Sequence, residues 1–196
     1  MKEILSNLDV FITNILDGLG IYGPLLGSFL ILVESVLPVL PLSVFITLNF
    51  YAFGKLFGFL VSYILTVIGC NLAFFLSRRL LNKRVDRWIE KYDKNALLKK
   101  ANNFKNIKFK NLVLLMVFPF TPAFLINILS GMSGMEHNKF LIASLVSKPF
   151  MVYFWGYVGV TFLQSLSHPI YFVKIFVIML IAYVLSAIIN KKFNLN

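Results

Sequence analysis

Long apolar segments separated by short polar connectors dominate the pattern of this chain. The apolar segments are residues 21–54, 57–77, 111–135, 140–163 and 170–189. A helix needs about 20 apolar residues to cross a bilayer. The pattern therefore predicts spanning helices over 57–77, 140–163 and 170–189, within one all-α polytopic membrane domain covering residues 1–196.

Residues 3–17 have a different pattern, in which apolar side chains recur at helical spacing. Ile4, Leu8, Phe11 and Ile15 mark one face, with polar residues elsewhere on the wheel. This pattern is typical of an amphipathic helix lying in the membrane interface.

The segment 21–54 is too long for one span and too short for two. Pro38 and Pro41 fall near its middle, where each removes a backbone donor and disfavours continuation of a helix. We predict a re-entrant hairpin of two half-helices, with Glu34 beside its tip. The alternative is one tilted, proline-kinked span with Glu34 hydrogen-bonded to a neighbouring helix.

The segment 111–135 repeats this arrangement. Pro119 and Pro122 lie 81 residues after the first proline pair and are likewise followed by a predicted span. The second segment is therefore predicted to be a second re-entrant hairpin, and the two halves to be inverted repeats, as in many secondary transporters.

The charge of the chain is concentrated in residues 78–110, which hold 12 of its 19 Lys and Arg residues against three acidic ones. The positive-inside rule places this block in the cytoplasm. With both proline segments as hairpins, the C-terminus is cytoplasmic too, in a multi-pass protein of the cell membrane. Arg84, Arg87 and Lys91 are predicted to contact anionic lipid headgroups. The alternative is a passive topology anchor.

Composition narrows the classes of function. The chain is 59% hydrophobic and 14% charged, whereas soluble domains carry about 25% charged residues. In such a chain, the net charge of +11 indicates a cytoplasmic loop rather than a nucleic-acid partner. Cys70 is the single cysteine, and His137 and His168 match no metal-ligand spacing. We find no pattern of nucleophile and base, so no enzyme, cofactor or metal site is predicted.

The polar and ionisable side chains inside the apolar segments are the candidates for a functional site. Glu34 and Lys148 are ionisable groups near the membrane centre, which usually have a partner or a role. Either they serve transport and proton coupling, or they form a structural ion pair. Pro149 is expected to free the backbone carbonyl of Leu145.

The half-helices after Pro41 and Pro122 would direct N-terminal N–H groups inward, where they can hold a phosphate. Ser43, Thr47, Asn49, Thr121 and Asn127 are predicted to line the same cavity, or else to make helix–helix hydrogen bonds.

Several motifs together resemble the DedA and VTT-domain membrane proteins, also called the SNARE-associated Golgi protein family. The matching residues are Glu34 with Pro38-x-x-Pro41, Gly69, Ser77-Arg78, Phe118-Pro119-Phe120-Thr121-Pro122, Asn127, Gly131, Lys148-Pro149 and Tyr157-x-Gly159. Val117 and Ala123 stand where the better-studied DedA members carry arginines, and no Asp follows Pro41.

This resemblance implies two opposed re-entrant hairpins and a flippase or scramblase role, in which phospholipid or polyprenyl-phosphate lipid moves between leaflets. Membrane lipids, anionic or phosphate-bearing, are the expected partners. Proton coupling would run through Glu34, with Lys148 and Arg78 taking part. Two alternatives stay open, a proton-coupled transporter of a small ion or solute and a non-transporting membrane-organising protein.

Overall fold

A computed structural model describes residues 22–36, 42–80, 104–165 and 170–193. Six helices follow one another: α1 Tyr22–Val36, α2 Leu42–Leu80, α3 Phe109–Val117, α4 Ala123–Met132, α5 His137–Ser165 and α6 Ile170–Lys192. No strand occurs in these ranges. The all-α prediction is confirmed.

Three helices are long and apolar enough to cross a membrane. They cover Leu42–Arg79, His137–Phe162 and Ile170–Lys192. These ranges contain the predicted spans 57–77 and 170–189 and all but the last residue of the predicted span 140–163. Shorter apolar helices occur at Leu25–Val36 and Ala123–Met132, within the two proline-containing segments. The division of these segments into short helices agrees with the predicted half-helices.

Helix α2 is two arms that fold back on each other at Gly54, so its full length is not one span. Gly54 has φ 75° and ψ 172°, a conformation that is essentially restricted to glycine. Asn49 Nδ2 donates a hydrogen bond to Ser62 Oγ at 3.1 Å, and Gly58 lies against the backbone of Asn49 and Phe50. In a straight helix, residues 13 positions apart would be about 20 Å apart along the axis. We call residues 42–53 arm α2a and residues 55–80 arm α2b.

The second proline-containing segment breaks where the sequence predicts. Helix α3 ends at Val117, Phe118 is extended, and Pro122 is extended before α4 begins. The chain turns between them, with the Thr121 N–H donating to the Phe118 carbonyl at 3.3 Å. We call residues 118–122 the second break. The helical course is thus interrupted at Pro119 and Pro122, whereas their role as the tip of a re-entrant hairpin stays a prediction.

In both halves a glycine with positive φ stands between a shorter helical element and a long helix. The glycines are Gly54 (φ 75°) and Gly134 (φ 71°). In the second half the short helices part, since α3 packs chiefly on α5 and α4 chiefly on α2. The re-entrant course and the inverted relation of the halves stay predictions.

Side chains from both halves form two apolar clusters. The larger joins α2b, α3, α4 and α5 through residues such as Phe74, Leu115, Ile126 and Phe140. The smaller joins α1, α2a and α5 through Ile31, Phe45, Ile46, Phe50 and Val152. The outer faces carry many exposed large apolar side chains, as expected for helices that contact lipid tails. The long helix α5 contributes to both clusters and therefore connects the halves.

Several predictions lie outside the described residues. They are the amphipathic helix over 3–17, the break at Pro38 and Pro41, and the headgroup contacts of Arg84, Arg87 and Lys91.

Candidate functional site

Helix α5 places Lys148 inside the protein. The side chain is 1% exposed, and its Nζ donates to the Met151 Sδ at 3.5 Å. A thioether sulfur is only a weak acceptor. Burying an ammonium group without a charged or strongly polar partner is costly, so Lys148 is a candidate ligand group.

Glu34 on α1 is the acidic residue that acts electrostatically on Lys148. Its side chain is half-buried. The two charges are close enough to attract each other, yet they form no ion pair at 4 Å or less. Glu34 and Lys148 thus interact electrostatically without a direct ion pair, and their shared role in transport and proton coupling stays a prediction.

Close helix packing fixes the position of Glu34. The adjacent residue, Ser35, lies against Gly69 of α2b, where an added Cβ would come within 2.6 Å of the Ser35 Cβ. Ser35 Oγ also donates to the Ile31 carbonyl at 3.0 Å. Gly69 stands 15 residues after Gly54, which is about 22 Å along a helix. Glu34 thus lies level with the middle of α2b.

Pro149 inside α5 leaves the Leu145 carbonyl without its helical hydrogen-bond donor, as predicted. Helix α5 continues through Pro149, and the Leu145 carbonyl that this residue frees accepts a hydrogen bond from Tyr63 Oη at 3.1 Å. The turn beside Lys148 is thereby tied to α2b.

Three of the predicted cavity-lining residues, Ser43, Thr47 and Asn49, lie on arm α2a. Asn49 is fully buried and bonds Ser62, and Ser28 of α1 lies 3.4 Å from its Oδ1. Thr47 Oγ1 donates to the Ser43 carbonyl at 2.7 Å. The Thr47 side chain also packs against Gly159 of α5. The Asn49 contacts fit the helix–helix alternative. The Thr47 hydrogen bond stays within α2a and involves only the backbone of Ser43, so a cavity-lining role of these residues stays a prediction.

The other two predicted cavity-lining residues, Thr121 and Asn127, are buried and have unsatisfied oxygens. Thr121 Oγ1 and Asn127 Oδ1 have no hydrogen-bond partner in the part of the chain that is described. Thr121 belongs to the second break, and Asn127 lies on α4. They keep the capacity to bind a ligand.

Arg78 is placed apart from Glu34 and Lys148. It lies at the end of α2b, where Nη1 donates to the Met135 carbonyl at 3.3 Å. Its guanidinium stands 5.8 Å from the centre of the Phe74 ring. Gly69, which lies beside Ser35, is nine residues away along α2b, or about 14 Å. Arg78 therefore lies at a different level of α2b from Ser35, and its part in transport stays a prediction.

Sequence reasoning missed a polar network close to Arg78. Asn71 Nδ2 contacts Ser144 Oγ at 3.3 Å, and Asn71 Oδ1 lies 3.0 Å from His137 Nε2. This network connects α2b to the start of α5. The available signal was a polar side chain, Asn71, in the middle of an otherwise apolar predicted span.

Two further missed residues lie on α6. Ser186 and Asn190 are buried, and Asn190 Nδ2 donates to the Phe120 carbonyl in the second break at 3.4 Å. Their spacing of four residues in the last span places them on one helix face, which is a signal that the sequence does contain.

Comparison with known proteins identifies the group to which this architecture belongs. Residues 40–161, more than half of the chain, match the VTT domain. The chain is 28% identical over 159 residues to the uncharacterized membrane protein YhjE of Bacillus subtilis, covering 81% of this chain and 76% of that protein. It is 26% identical over 166 residues to the uncharacterized protein YqeD of the same species, covering 84% and 79%.

No solved structure matches the chain significantly. The matched region runs from the start of α2 to the second half of α5 and contains Lys148, Gly69, the second break and Gly159. These are the residues that form the contacts described above. The chain belongs to the VTT-domain (DedA) family of membrane proteins.

Proposed function

We propose that the protein is a lipid transporter that moves phospholipid or polyprenyl-phosphate lipid between leaflets, as a flippase or scramblase. The observation that carries this proposal is Lys148, a buried ammonium with a thioether as its acceptor. A lipid phosphate would supply the anionic partner that Lys148 lacks, because charge-assisted contacts to phosphate are strong.

The surface of α5 around Lys148 suits a lipid substrate. Val146, Phe150 and Tyr153 are exposed on that helix, where they would contact acyl chains. A headgroup held at Lys148 could thus keep its tails in the bilayer. Membership of a membrane protein family supports this placement.

Glu34 gives the proposed cycle a second state. With the site empty, Lys148 is attracted to Glu34. When a phosphate binds, it replaces that attraction, and Glu34 can take up a proton to keep the charge of the site balanced. Lipid movement would then be proton-coupled, with no covalent chemistry and so no enzymatic activity.

The proposal includes the orientation of the chain in the cell membrane. Helices α1 and α2a form one re-entrant hairpin and α3 and α4 the other, entering from opposite faces as inverted repeats. The basic block and the C-terminus are cytoplasmic. Arg84, Arg87 and Lys91 hold the block on anionic lipid, and Arg78 anchors the end of α2b beside it.

Reconstitution tests this proposal directly. Liposomes containing the protein and a fluorescent phospholipid are treated with dithionite, which bleaches only the outer leaflet. We expect bleaching beyond the outer-leaflet half, and we expect Lys148→Met to reduce it to the level of protein-free liposomes. Lys174→Met is the matched control, since Lys174 is exposed. Wild-type protein that bleaches like empty liposomes with phospholipid and with fluorescent polyprenyl phosphate would refute lipid transport.

A further inference from the structure

Buried oxygens without a partner occur on both sides of the contact between the second break and α6. They are Thr121 Oγ1, Ser186 Oγ and Asn190 Oδ1, on side chains that are 5%, 1% and 7% exposed. Leaving a buried polar atom unsatisfied costs about 1–3 kcal/mol. Several such atoms close together indicate that something binds there.

Two contacts join α6 to the second break. Asn190 Nδ2 donates to the Phe120 carbonyl at 3.4 Å, and the Phe120 ring lies edge-on to Tyr183 with ring centres 5.9 Å apart. Tyr183, Ser186 and Asn190 therefore face the second break from successive turns of α6. Thr121 follows Phe120 directly in the chain.

Hydrogen-bond acceptors outnumber donors where the second break meets α6. Pro119 and Pro122 have no N–H group to donate, and the C-terminal end of α3 adds carbonyls and the negative end of its dipole. The amide of Asn190 already uses Nδ2 as a donor, so Oδ1 can only accept. Two more unsatisfied oxygens, Asn127 Oδ1 and Ser130 Oγ, lie on α4 just after the break. The hydroxyls can donate as well as accept, but the carbonyls, the two amide oxygens and the missing proline N–H groups favour a cation or a donor over an anion.

The ligand atoms also select the kind of cation. All of them are neutral oxygens, whereas Ca²⁺ and Mg²⁺ sites include carboxylates. No group of three or more His, Cys, Asp or Glu side chains suited to a metal occurs among the described residues. Lys191 and Lys192 follow Asn190 but are exposed. Neutral carbonyl, hydroxyl and amide oxygens suit a monovalent metal ion, and broken helices in transporters bind Na⁺ in this way.

We propose that a monovalent metal cation binds between the second break and α6. Its ligands would be the Phe120 carbonyl oxygen, Thr121 Oγ1, Ser186 Oγ and Asn190 Oδ1. This site is separate from Lys148 and does not depend on the proposed lipid transport.

Cation binding should raise the unfolding free energy, because little of α6 packs against the rest of the protein. In an apolar 18-residue stretch of this helix only 17% is buried inside the protein, and the ion would tie the helix to the second break. A ligand that binds the folded state alone raises the unfolding free energy in proportion to the logarithm of its concentration above Kd.

The test uses the purified full chain in detergent, with Na⁺ replaced stepwise by choline at constant ionic strength. We expect the unfolding temperature to rise with the logarithm of the Na⁺ concentration above Kd, with no such rise in choline. Equilibrium dialysis should show saturable binding of ²²Na⁺. Ser186→Ala, Thr121→Val and Asn190→Leu should each weaken the apparent Na⁺ affinity at least about tenfold, since each removes one ligand.

Matched controls separate ligand loss from general damage. Thr161→Val and Ser165→Ala also alter buried hydroxyls, but these already donate to the Tyr157 and Phe162 carbonyls at 2.7 and 2.6 Å. Both control variants should keep the Na⁺ response. Asn190→Asp, which adds a negative charge to the ligand set, should shift half-saturation to lower Na⁺.

Two results would overturn the proposal. One is a flat ²²Na⁺ isotherm for the wild-type protein, with equal stability in Na⁺ and choline; the oxygens then bond to water. The other is an unchanged Na⁺ response in Ser186→Ala, the smallest of the changes. Neither readout uses lipid transport, so the two proposals fail or stand separately.

Discussion

Tyr63 Oη on α2b donates a hydrogen bond to the Leu145 carbonyl on α5 at 3.1 Å. Leu145 precedes Pro149 by four residues, so its carbonyl is the one for which this proline cannot supply a partner. A tyrosine on the neighbouring long helix thus satisfies the acceptor that the proline frees, one turn from Lys148.

We predict that Tyr63→Phe lowers the unfolding free energy by about 1 kcal/mol, because the carbonyl that Pro149 frees loses its donor. Unfolding in detergent measures this. Tyr153→Phe is the control, since Tyr153 is exposed and its ring stacks on Tyr157. A double-mutant cycle sharpens the test: in a Pro149→Ala background the helix itself supplies an N–H, so the cost of Tyr63→Phe should shrink. An equal cost in both backgrounds would contradict the assignment.

The packing of α1 against α2b gives a second prediction. An added methyl at Gly69 would lie 2.6 Å from the Ser35 Cβ, closer than such atoms approach. Gly69→Ala should therefore push the helices apart and cost about 1–3 kcal/mol. Ser35→Gly removes the opposing atoms and should restore most of the loss. The measurement is again the unfolding free energy, and failure of Ser35→Gly to rescue Gly69→Ala would show that α1 does not pack there.

Much of this fold follows from patterns that are local in the sequence. Pro119 and Pro122 break a helix because the chemistry of proline is local, and the three candidate spans follow from the length of apolar runs. The freed Leu145 carbonyl was also predictable, but its partner, Tyr63, lies 82 residues away and depends on how α2b and α5 cross.

Features set by long-range packing were not predictable in this way. Gly54 lies in an apolar stretch. No local pattern distinguishes a tight reversal of the chain at Gly54 from an ordinary loop between the predicted hairpin and the predicted span 57–77. The parting of α3 from α4 depends on the surfaces that α5 and α2 offer them. Asn49 resembled a cavity residue, yet Ser62 satisfies it across the Gly54 turn.

Topology is the third prediction, and it follows from hairpin parity and the positive-inside rule. Residues 54 and 164–169 should face outside, and residues 78–110, 136–139 and 191–196 inside. In a Cys70→Ala background, an impermeant thiol reagent added to intact cells should label Lys55→Cys but not Lys192→Cys, since both positions are exposed. Labelling of Lys192→Cys from outside would require at least one proline segment to cross the membrane completely.

The last prediction concerns Glu34, whose carboxyl lies near Lys148 without an ion pair at 4 Å or less. Because that pair is not formed, Glu34→Gln should leave the unfolding temperature close to that of the wild type. If Glu34 carries the coupling proton, Gln cannot titrate and should abolish proton-dependent lipid movement, whereas Asp keeps a titrating group and should retain part of it.

Measuring stability and activity on the same preparations separates the possible roles of Glu34. Glu136→Gln is the matched control, because Glu136 is exposed just before α5 and should change neither quantity. Poor expression or a lowered unfolding temperature in Glu34→Gln would instead indicate that Lys148 depends on Glu34 as its counter-charge in the folded protein. Full stability together with full proton-dependent activity would exclude Glu34 from the mechanism, and Lys148 alone would then have to distinguish the loaded from the empty site.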